Sequence, residues 1–183
     1  MRHAIVVRQG WSCAGLALLL AAGLAPAAQA ADNLRLKGNL VEEACTIRPG
    51  DEAITLELWD LTSKHLYLNT RSVGKGFKLH LEDCDTTIGN TVNITFGGVE
   101  NTALPGLLAL DGGSGASGIG VGLETLGNKP LPLNTVGDDQ VLTDGNNVIE
   151  LKAYVQGEPQ AIQDQTIGHG AYTVTSTFTL DYP

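Results

Sequence analysis

The chain has 183 residues, a length that suits one domain, and it carries a formal net charge of −9. Its 20 aspartates and glutamates outnumber its 11 lysines and arginines, which disfavours nucleic acids and anionic membranes as partners because both bind a basic face. We interpret the acidity as a contribution to solubility.

Residues 1–30 have the pattern of a secretory signal peptide. Two arginines precede an apolar run that closes with the small-x-small pattern Ala28-Gln29-Ala30. The apolar run from Cys13 to Leu24 is shorter than the roughly 20 residues that a membrane-spanning helix needs. We therefore predict cleavage after Ala30 and export of residues 31–183, with no membrane insertion of the exported chain.

The segment that follows the predicted cleavage site alternates between apolar and polar residues. One face comprises Leu34, Leu36, Gly38 and Leu40. The other comprises Arg35, Lys37 and Asn39. A short segment with one apolar face cannot bury that face alone, so we predict that it adds itself to a sheet, either of its own domain or of another molecule.

Cys45 and Cys84 are the two cysteines that remain after the predicted signal peptide. An even pair in an oxidising compartment most simply forms one disulfide, which stabilises a loop of this length by roughly 4 kcal/mol in the chain-entropy treatment. A catalytic or metal-binding thiol is disfavoured, because neither cysteine belongs to a CxxC motif or lies near a histidine cluster.

Strand patterns fill most of the remaining sequence. In "GFKLHLEDC", Phe77, Leu79 and Leu81 alternate with polar residues and define one buried face. Similar strands are predicted at "EACTIRP", "AITLELW", "TVNITFGG", "GIGVGLETL" and "NNVIELKAYV", with a short helical turn near "LTSKHLYL". Many short strands separated by turn signals predict an all-β sandwich.

Catalytic and cofactor motifs are weak. The Gly113–Gly118 stretch matches G-x-G-x-x-G, but a strand follows it where a dinucleotide site requires a helix, so we predict a flexible loop. His65, His80 and His169 show no metal-ligand spacing, and the G-x-S-x-G elbow of a serine hydrolase is missing. We predict a non-enzymatic protein without cofactor or metal.

The sequence ends in a strong strand signal. From Ala171 to Pro183 the even positions are mostly large or apolar, and four of the odd positions are threonine. A last strand exposes unpaired backbone groups unless another segment covers it, which predicts that something pairs with this strand.

Taken in order, these features resemble a pilin subunit of the chaperone-usher pathway, similar to type 1 and P pilus subunits. The resemblance covers residues 31–183 and rests on "NLRLKGNLVEEACTI", "FKLHLEDC", "VNITFGG", "LLALD" and "TFTLDYP". Tyr182 stands at the family's penultimate tyrosine, and Gly170 stands at its glycine fourteen residues from the end. Pro183 departs from the polar residue expected at the last position.

The resemblance implies an incomplete immunoglobulin-like sandwich that lacks its last strand, formed by residues 42–183, with residues 31–41 as a donor-strand extension. The implied partners are neighbouring pilin subunits, a periplasmic pilus chaperone and an outer-membrane usher. The apolar face of the extension would enter a neighbour's groove. The residues implied to line this subunit's own groove or contact the chaperone are Gly170, Val174, Phe178, Leu180, Tyr182 and Pro183.

Within this class, the short extension favours a minor or adaptor subunit of an extracellular fimbria over the main shaft protein. A second class stays open at this point, a monomeric secreted module that binds carbohydrate. Its stacking platforms would be Trp59, Tyr67, Tyr154 and Tyr172. Aromatic residues make up only 5% of the chain, however, and most are expected in the core.

Overall fold

Alternating apolar side chains build two antiparallel sheets in the computed structural model, which describes residues 42–183. The strands in chain order are β1 (Thr46–Ile47), β2 (Lys75–Cys84), β3 (Thr91–Gly98), β4 (Ile119–Thr125), β5 (Gln140–Val141), β6 (Gly145–Gly157) and β7 (Ser176–Asp181). Two short helices accompany them, α1 (Ser63–Asn69) and α2 (Pro159–Gln163). The predicted signal peptide and the predicted extension, residues 31–41, lie outside the described residues.

The first sheet has the order β1-β2-β6-β4, and the second has the order β5-β3-β7. In the first sheet Leu79 of β2 lies opposite Ile149 of β6, and both side chains are buried. Val92, Ile94 and Phe96 of β3 are buried in the same core from the second sheet. The core therefore lies between the inward faces of two sheets, as the all-β sandwich prediction requires.

Most predicted strands are present, and one is wrong. The "AITLELW" stretch, residues 53–59, pairs with no strand among residues 42–183. Leu56 and Leu58 still pack against the core as half-buried side chains, so the stretch keeps its alternating pattern without joining a sheet. Apolar alternation indicates which side chains are buried, but it does not specify a hydrogen-bonding partner for the backbone.

The predicted helical turn is confirmed as α1, and its start has a local cause. Thr62 is the N-cap residue, and its hydroxyl accepts a hydrogen bond from the backbone N–H of His65 at 3.3 Å. Helix α2 was not predicted. It begins with Pro159, whose fixed φ suits the first helical turn.

The predicted disulfide between Cys45 and Cys84 is present and buried. It connects the end of β2 to the residue before β1. Because β1 has only two residues, this covalent bond holds the start of the described chain on the first sheet more firmly than strand pairing alone would.

A charged cluster on the outward face of the first sheet was not predicted. Glu124 of β4 is fully buried, and its carboxylate binds Arg71 at 2.8 Å and lies 3.3 Å from the Lys152 ammonium. The Arg71 guanidinium stacks on the Tyr154 ring, 3.7 Å from its centroid. Gly122 makes room for that ring, since a Cβ there would come within 2.3 Å of it. The cluster fixes β4 to β6 at the edge of this sheet.

Candidate subunit interface

The last strand, β7, lies at the edge of the second sheet. It pairs with β3, placing Phe178 opposite Phe96 and Leu180 opposite Ile94. Within residues 42–183, no further strand pairs with the second edge of β7. The backbone groups on that side are therefore free of ladder bonds to the described part of the chain.

The side chains of this last segment alternate as predicted, but their burial is incomplete. Val92, Ile94 and Phe96 of the neighbouring strand are at most 5% exposed, whereas the inward side chains of the last segment are only half-buried. These side chains pack against the core and form what we call the edge strip, which comprises Tyr172, Val174, Phe178, Leu180 and Tyr182. A strip of partly covered apolar side chains beside an unpaired strand edge has the properties of an acceptor for another strand.

A second set of half-buried apolar side chains comes from the unpaired stretch before α1. Leu56, Leu58 and Leu61 pack against the same core. Asp60 lies close enough to Tyr172 for its charge to act on the phenol. Burial raises the pKa of Tyr172, and the Asp60 carboxylate raises it further. The end of this stretch is therefore near the start of the edge strip.

Tyr182 closes the other end of the edge strip. Gly89 lies beside it: a Cβ on Gly89 would be in ordinary contact with the Cβ of Tyr182 at 3.4 Å and in tighter contact with that of Ala44 at 3.2 Å. Burial raises the pKa of the Tyr182 phenol, and the nearby Glu43 carboxylate raises it further. Pro183 follows as an exposed last residue.

The segment leading into β7 is held by the glycine-rich loop, residues 111–118. The backbone N–H of Gly115 donates to the carbonyl of Ala171 at 2.7 Å, and the Asp111 carboxylate accepts a hydrogen bond from the Thr175 hydroxyl at 2.8 Å. A Cβ on Gly170 would lie 2.6 Å from the carbonyl carbon of Gly115. The glycine-rich loop, whose sequence matches the dinucleotide motif, thus positions the last strand. Gly170 permits the close approach of this strand's leading segment to the backbone of the loop.

The structure brings four of the sequence-predicted groove residues together in the edge strip, namely Val174, Phe178, Leu180 and Tyr182. Gly170 lies just before this strip, and Pro183 lies just after it. The predicted donor residues lie outside the described residues. Sequence reasoning missed the contributions of Leu56, Leu58 and Gly89, although the alternation within "TLELW" was a usable signal for the two leucines.

The four aromatic residues considered as carbohydrate platforms lie in different places. Tyr154 is 4% exposed beneath Arg71, and the Tyr67 hydroxyl accepts a hydrogen bond from the backbone of Ile167 at 3.2 Å. Tyr172 belongs to the edge strip. Trp59 is 54% exposed and has the Lys75 ammonium 4.7 Å from its ring centroid. They do not form a shared stacking surface.

The histidines take part in local polar contacts. The His80 imidazole lies 2.7 Å from the Asp51 carboxylate, and that of His169 lies 3.0 Å from the Ser63 hydroxyl. In residues 42–183 we find no group of three or more His, Cys, Asp or Glu side chains arranged to hold a metal ion. The helices described in this part of the chain are too short to cross a bilayer.

Residues 42–183 form a β-sandwich in which the second edge of the last strand has no strand partner, and comparisons with known proteins agree with the sandwich fold. The profile of the fimbrial protein family matches residues 34–183. The Fimbria A protein of Serratia marcescens is 32% identical over 171 residues, covering 91% of this chain and 95% of that protein. The fimbrial adapter PapK of Escherichia coli is 31% identical, covering 91% and 96%.

A third relative, the major MR/P fimbria protein of Proteus mirabilis (strain HI4320), is 34% identical and covers 92% of this chain and 94% of that protein. The crystal structure of the P pilus rod subunit PapA superposes with a TM-score of 0.66, covering 77% of this chain and all of that one. Its 22% sequence identity makes this a likeness of fold. This chain therefore belongs to the fimbrial protein family and is a structural pilus subunit.

Proposed function

We propose that this subunit polymerises by donor-strand complementation. The observation that carries the proposal is the second edge of β7, which pairs with no strand among residues 42–183 and is bordered by the half-buried edge strip. In this scheme, residues 31–41 of a neighbouring subunit lie along β7 and complete the second sheet. The segment from Leu34 to Leu40 spans about 20 Å when extended, long enough to run along the whole of β7, Ser176–Asp181.

The energetics of this exchange follow from the two faces of the extension. Each of the three leucines contributes about 1.5–3 kcal/mol when it moves from water into an apolar groove, before the cost of ordering. Register is strongly specified, because a one-residue slip would turn all three leucines to solvent. Gly38 continues their face without a side chain, which suits a position where the groove is shallow and the two backbones approach closely.

Before assembly, the same edge requires temporary cover. We assign this role to a periplasmic chaperone that pairs one of its own strands with β7 and contacts the exposed Pro183, and then delivers the subunit to an outer-membrane usher. The signal-peptide pattern in residues 1–30 supports export to the periplasm. Extracellular pili are the end point of this route.

Within the fibre, we assign the chain to a minor or adaptor position, on the basis of its short extension. The relatives described above include both an adapter and a major subunit, so their names alone do not decide the position.

A pair of variants in the extension tests the donor role. Leu36→Asp places a charge on the apolar face, whereas Asn39→Asp adds the same charge to the polar face and serves as the matched control. We expect Leu36→Asp to abolish polymerisation of residues 31–183 in size-exclusion chromatography with mass determination, and Asn39→Asp to polymerise like the wild type. Equal polymerisation by Leu36→Asp and the wild type would refute the donor role.

A further inference from the structure

An amine, an amide and a carboxylate meet around Lys152 of β6, on the outward face of the first sheet. The Lys152 ammonium lies 2.5 Å from the side-chain oxygen of Asn128 and 3.3 Å from Oε1 of Glu124. Although the ammonium is within ion-pair distance, the buried Oε1 accepts no hydrogen bond from residues 42–183. The second carboxylate oxygen accepts one from Arg71. The charged cluster therefore contains one carboxylate oxygen that its hydrogen bonds leave unused.

The sheet and one tight turn hold these three side chains together. Glu124 lies directly opposite Lys152 in the β4–β6 ladder, so the two side chains share one face of the sheet. Asn128 follows in the turn after β4, with a φ of 64° that asparagine adopts more readily than most residues. Its backbone N–H donates to the carbonyl of Thr125 at 3.0 Å, which closes the turn. The backbone thus places the amine, the amide and the carboxylate within reach of one another.

Water has little access to the amine and the carboxylate. The Glu124 side chain is fully buried, and that of Lys152 is 17% exposed. Gly74 covers the pair, since a Cβ there would lie 2.8 Å from Oε1 of Glu124 and 3.0 Å from the Cβ of Lys152. Arg71 already supplies one positive charge to the Glu124 carboxylate. A neutral group in place of the Lys152 ammonium would therefore leave one carboxylate paired with one cation.

We propose that Lys152 and Asn128 form an isopeptide bond, with Glu124 as the general base. The Lys152 ammonium gives one proton to Oε1 of Glu124, and the neutral Nζ attacks Cγ of Asn128. Nδ2 takes a second proton from Nζ and leaves as ammonia, which then removes the first proton from Glu124 and departs as ammonium. The bond from Cγ to Nδ2 breaks and a bond from Cγ to Nζ forms, so the reaction needs no oxidant and no further reactant.

The distances suit this reaction. A carbonyl carbon lies about 1.2 Å from its oxygen, so Cγ of Asn128 is at most about 3.7 Å from Nζ of Lys152. Groups held ready to react are about 3–3.5 Å apart. The product also satisfies the buried acceptor, because its amide N–H would take the place of the ammonium and donate to Oε1 of Glu124. The bond would join β6 to the turn after β4, so force transmitted through a fibre would not extend the chain between them.

Intact-mass spectrometry of residues 31–183 tests the proposal. The chain is folded with its disulfide intact and compared with the same chain kept in denaturant. We expect the folded chain to be lighter by one ammonia. A protease that cleaves after glutamate cuts at Glu150, between the two residues, and the peptides that carry Asn128 and Lys152 should nevertheless stay joined. An unchanged mass in the folded wild type would overturn the proposal.

Two variants each remove one reacting group. Lys152→Arg keeps the positive charge, and Asn128→Gly keeps a residue that accepts positive φ. Both should retain the full mass, and circular dichroism checks that they fold. Lys129→Arg is the matched control, because it replaces the lysine next to Asn128, which pairs with Asp138 instead, and it should lose ammonia like the wild type. Loss of ammonia from Lys152→Arg would overturn the assignment, since an asparagine can also lose ammonia to attack by its own backbone.

The role of Glu124 has a separate readout. Glu124→Gln keeps the size of the side chain but cannot accept the proton. We expect it to form the bond about 100-fold or more slowly after dilution from denaturant, the usual contribution of a general base. Bond formation at the wild-type rate would overturn that role. These measurements report a covalent change within one chain, so their outcome does not depend on the donor-strand function proposed above.

Discussion

Two glycines of this protein are constrained by the close approach of neighbouring groups. Gly170 shows this most directly, because its Cα faces the backbone of the glycine-rich loop with no room for a methyl group. Gly122 plays the corresponding part beneath the Tyr154 ring. At both positions the missing side chain allows a larger element to reach its place, the last strand in one case and a stacked aromatic ring in the other.

We predict that Gly170→Ala lowers the free energy of unfolding by about 1–3 kcal/mol, the usual cost of overpacking. The added Cβ would lie 2.6 Å from the Gly115 carbonyl carbon, which forces the loop and the last segment apart. Gly112→Ala is the matched control, because nothing lies within 4 Å of its Cβ position. Denaturant unfolding of both variants measures the difference, and equal midpoints would contradict the account.

The burial of individual residues could be predicted from the sequence where the evidence lies within one segment of the chain. The alternation of Phe178, Leu180 and Tyr182 was visible because a strand repeats every two residues. The buried Glu124 was not, since its partners Arg71 and Lys152 are distant in sequence and an isolated glutamate reads as a surface residue. The disulfide could be predicted because only two cysteines remain after the predicted signal peptide.

At the scale of elements, the alternation of apolar and polar residues indicated where strands occur. The hydrogen bonds of the fold determined where each strand begins and ends. Strand β3 was predicted with its observed bounds, but the last strand pairs only from Ser176 to Asp181, because the preceding residues bond to the glycine-rich loop. The stretch from residue 53 to 59 has the composition of a strand and no ladder partner among the described residues. Partner choice depends on the whole fold, which a local pattern does not contain.

The turn that leads into this unpaired stretch is fixed to β2 by one carboxylate. Asp51 accepts hydrogen bonds from the backbone N–H and the imidazole of His80, both at 2.7 Å, and these bonds hold its pKa below the ordinary value. A carboxyl whose pKa is lower in the folded state stabilises the fold above its unfolded pKa, and that stabilisation is lost as the pH falls through the folded value.

We therefore expect wild-type thermal stability to fall below about pH 4 more steeply than that of Asp51→Asn. The variant keeps the size of the side chain but cannot titrate, so its melting temperature should be lower at neutral pH and less dependent on acid. Melting curves between neutral and strongly acidic pH measure this difference. Parallel losses in the two proteins would show that Asp51 is not responsible for acid sensitivity.

At the scale of the whole molecule, the described residues form a sandwich whose first sheet has four strands and whose second has three. The second sheet ends in β7, whose second edge has no strand partner among residues 42–183 and whose inward apolar side chains are only half-buried. Fold class and family follow from the sequence and are confirmed by the structure and the comparisons. The donor strand and its register remain predictions, because they concern residues 31–41 and a second molecule.

The most direct test of the central claim is whether a separate strand completes the sandwich. Residues 42–183 would be refolded with and without a synthetic peptide of residues 31–41, and the products measured by size-exclusion chromatography with mass determination. We predict a one-to-one complex with the peptide, no complex with its Leu36→Asp counterpart, and aggregation without peptide. A stable monomer that binds neither peptide would contradict the claim, because it would mean that the last strand needs no partner.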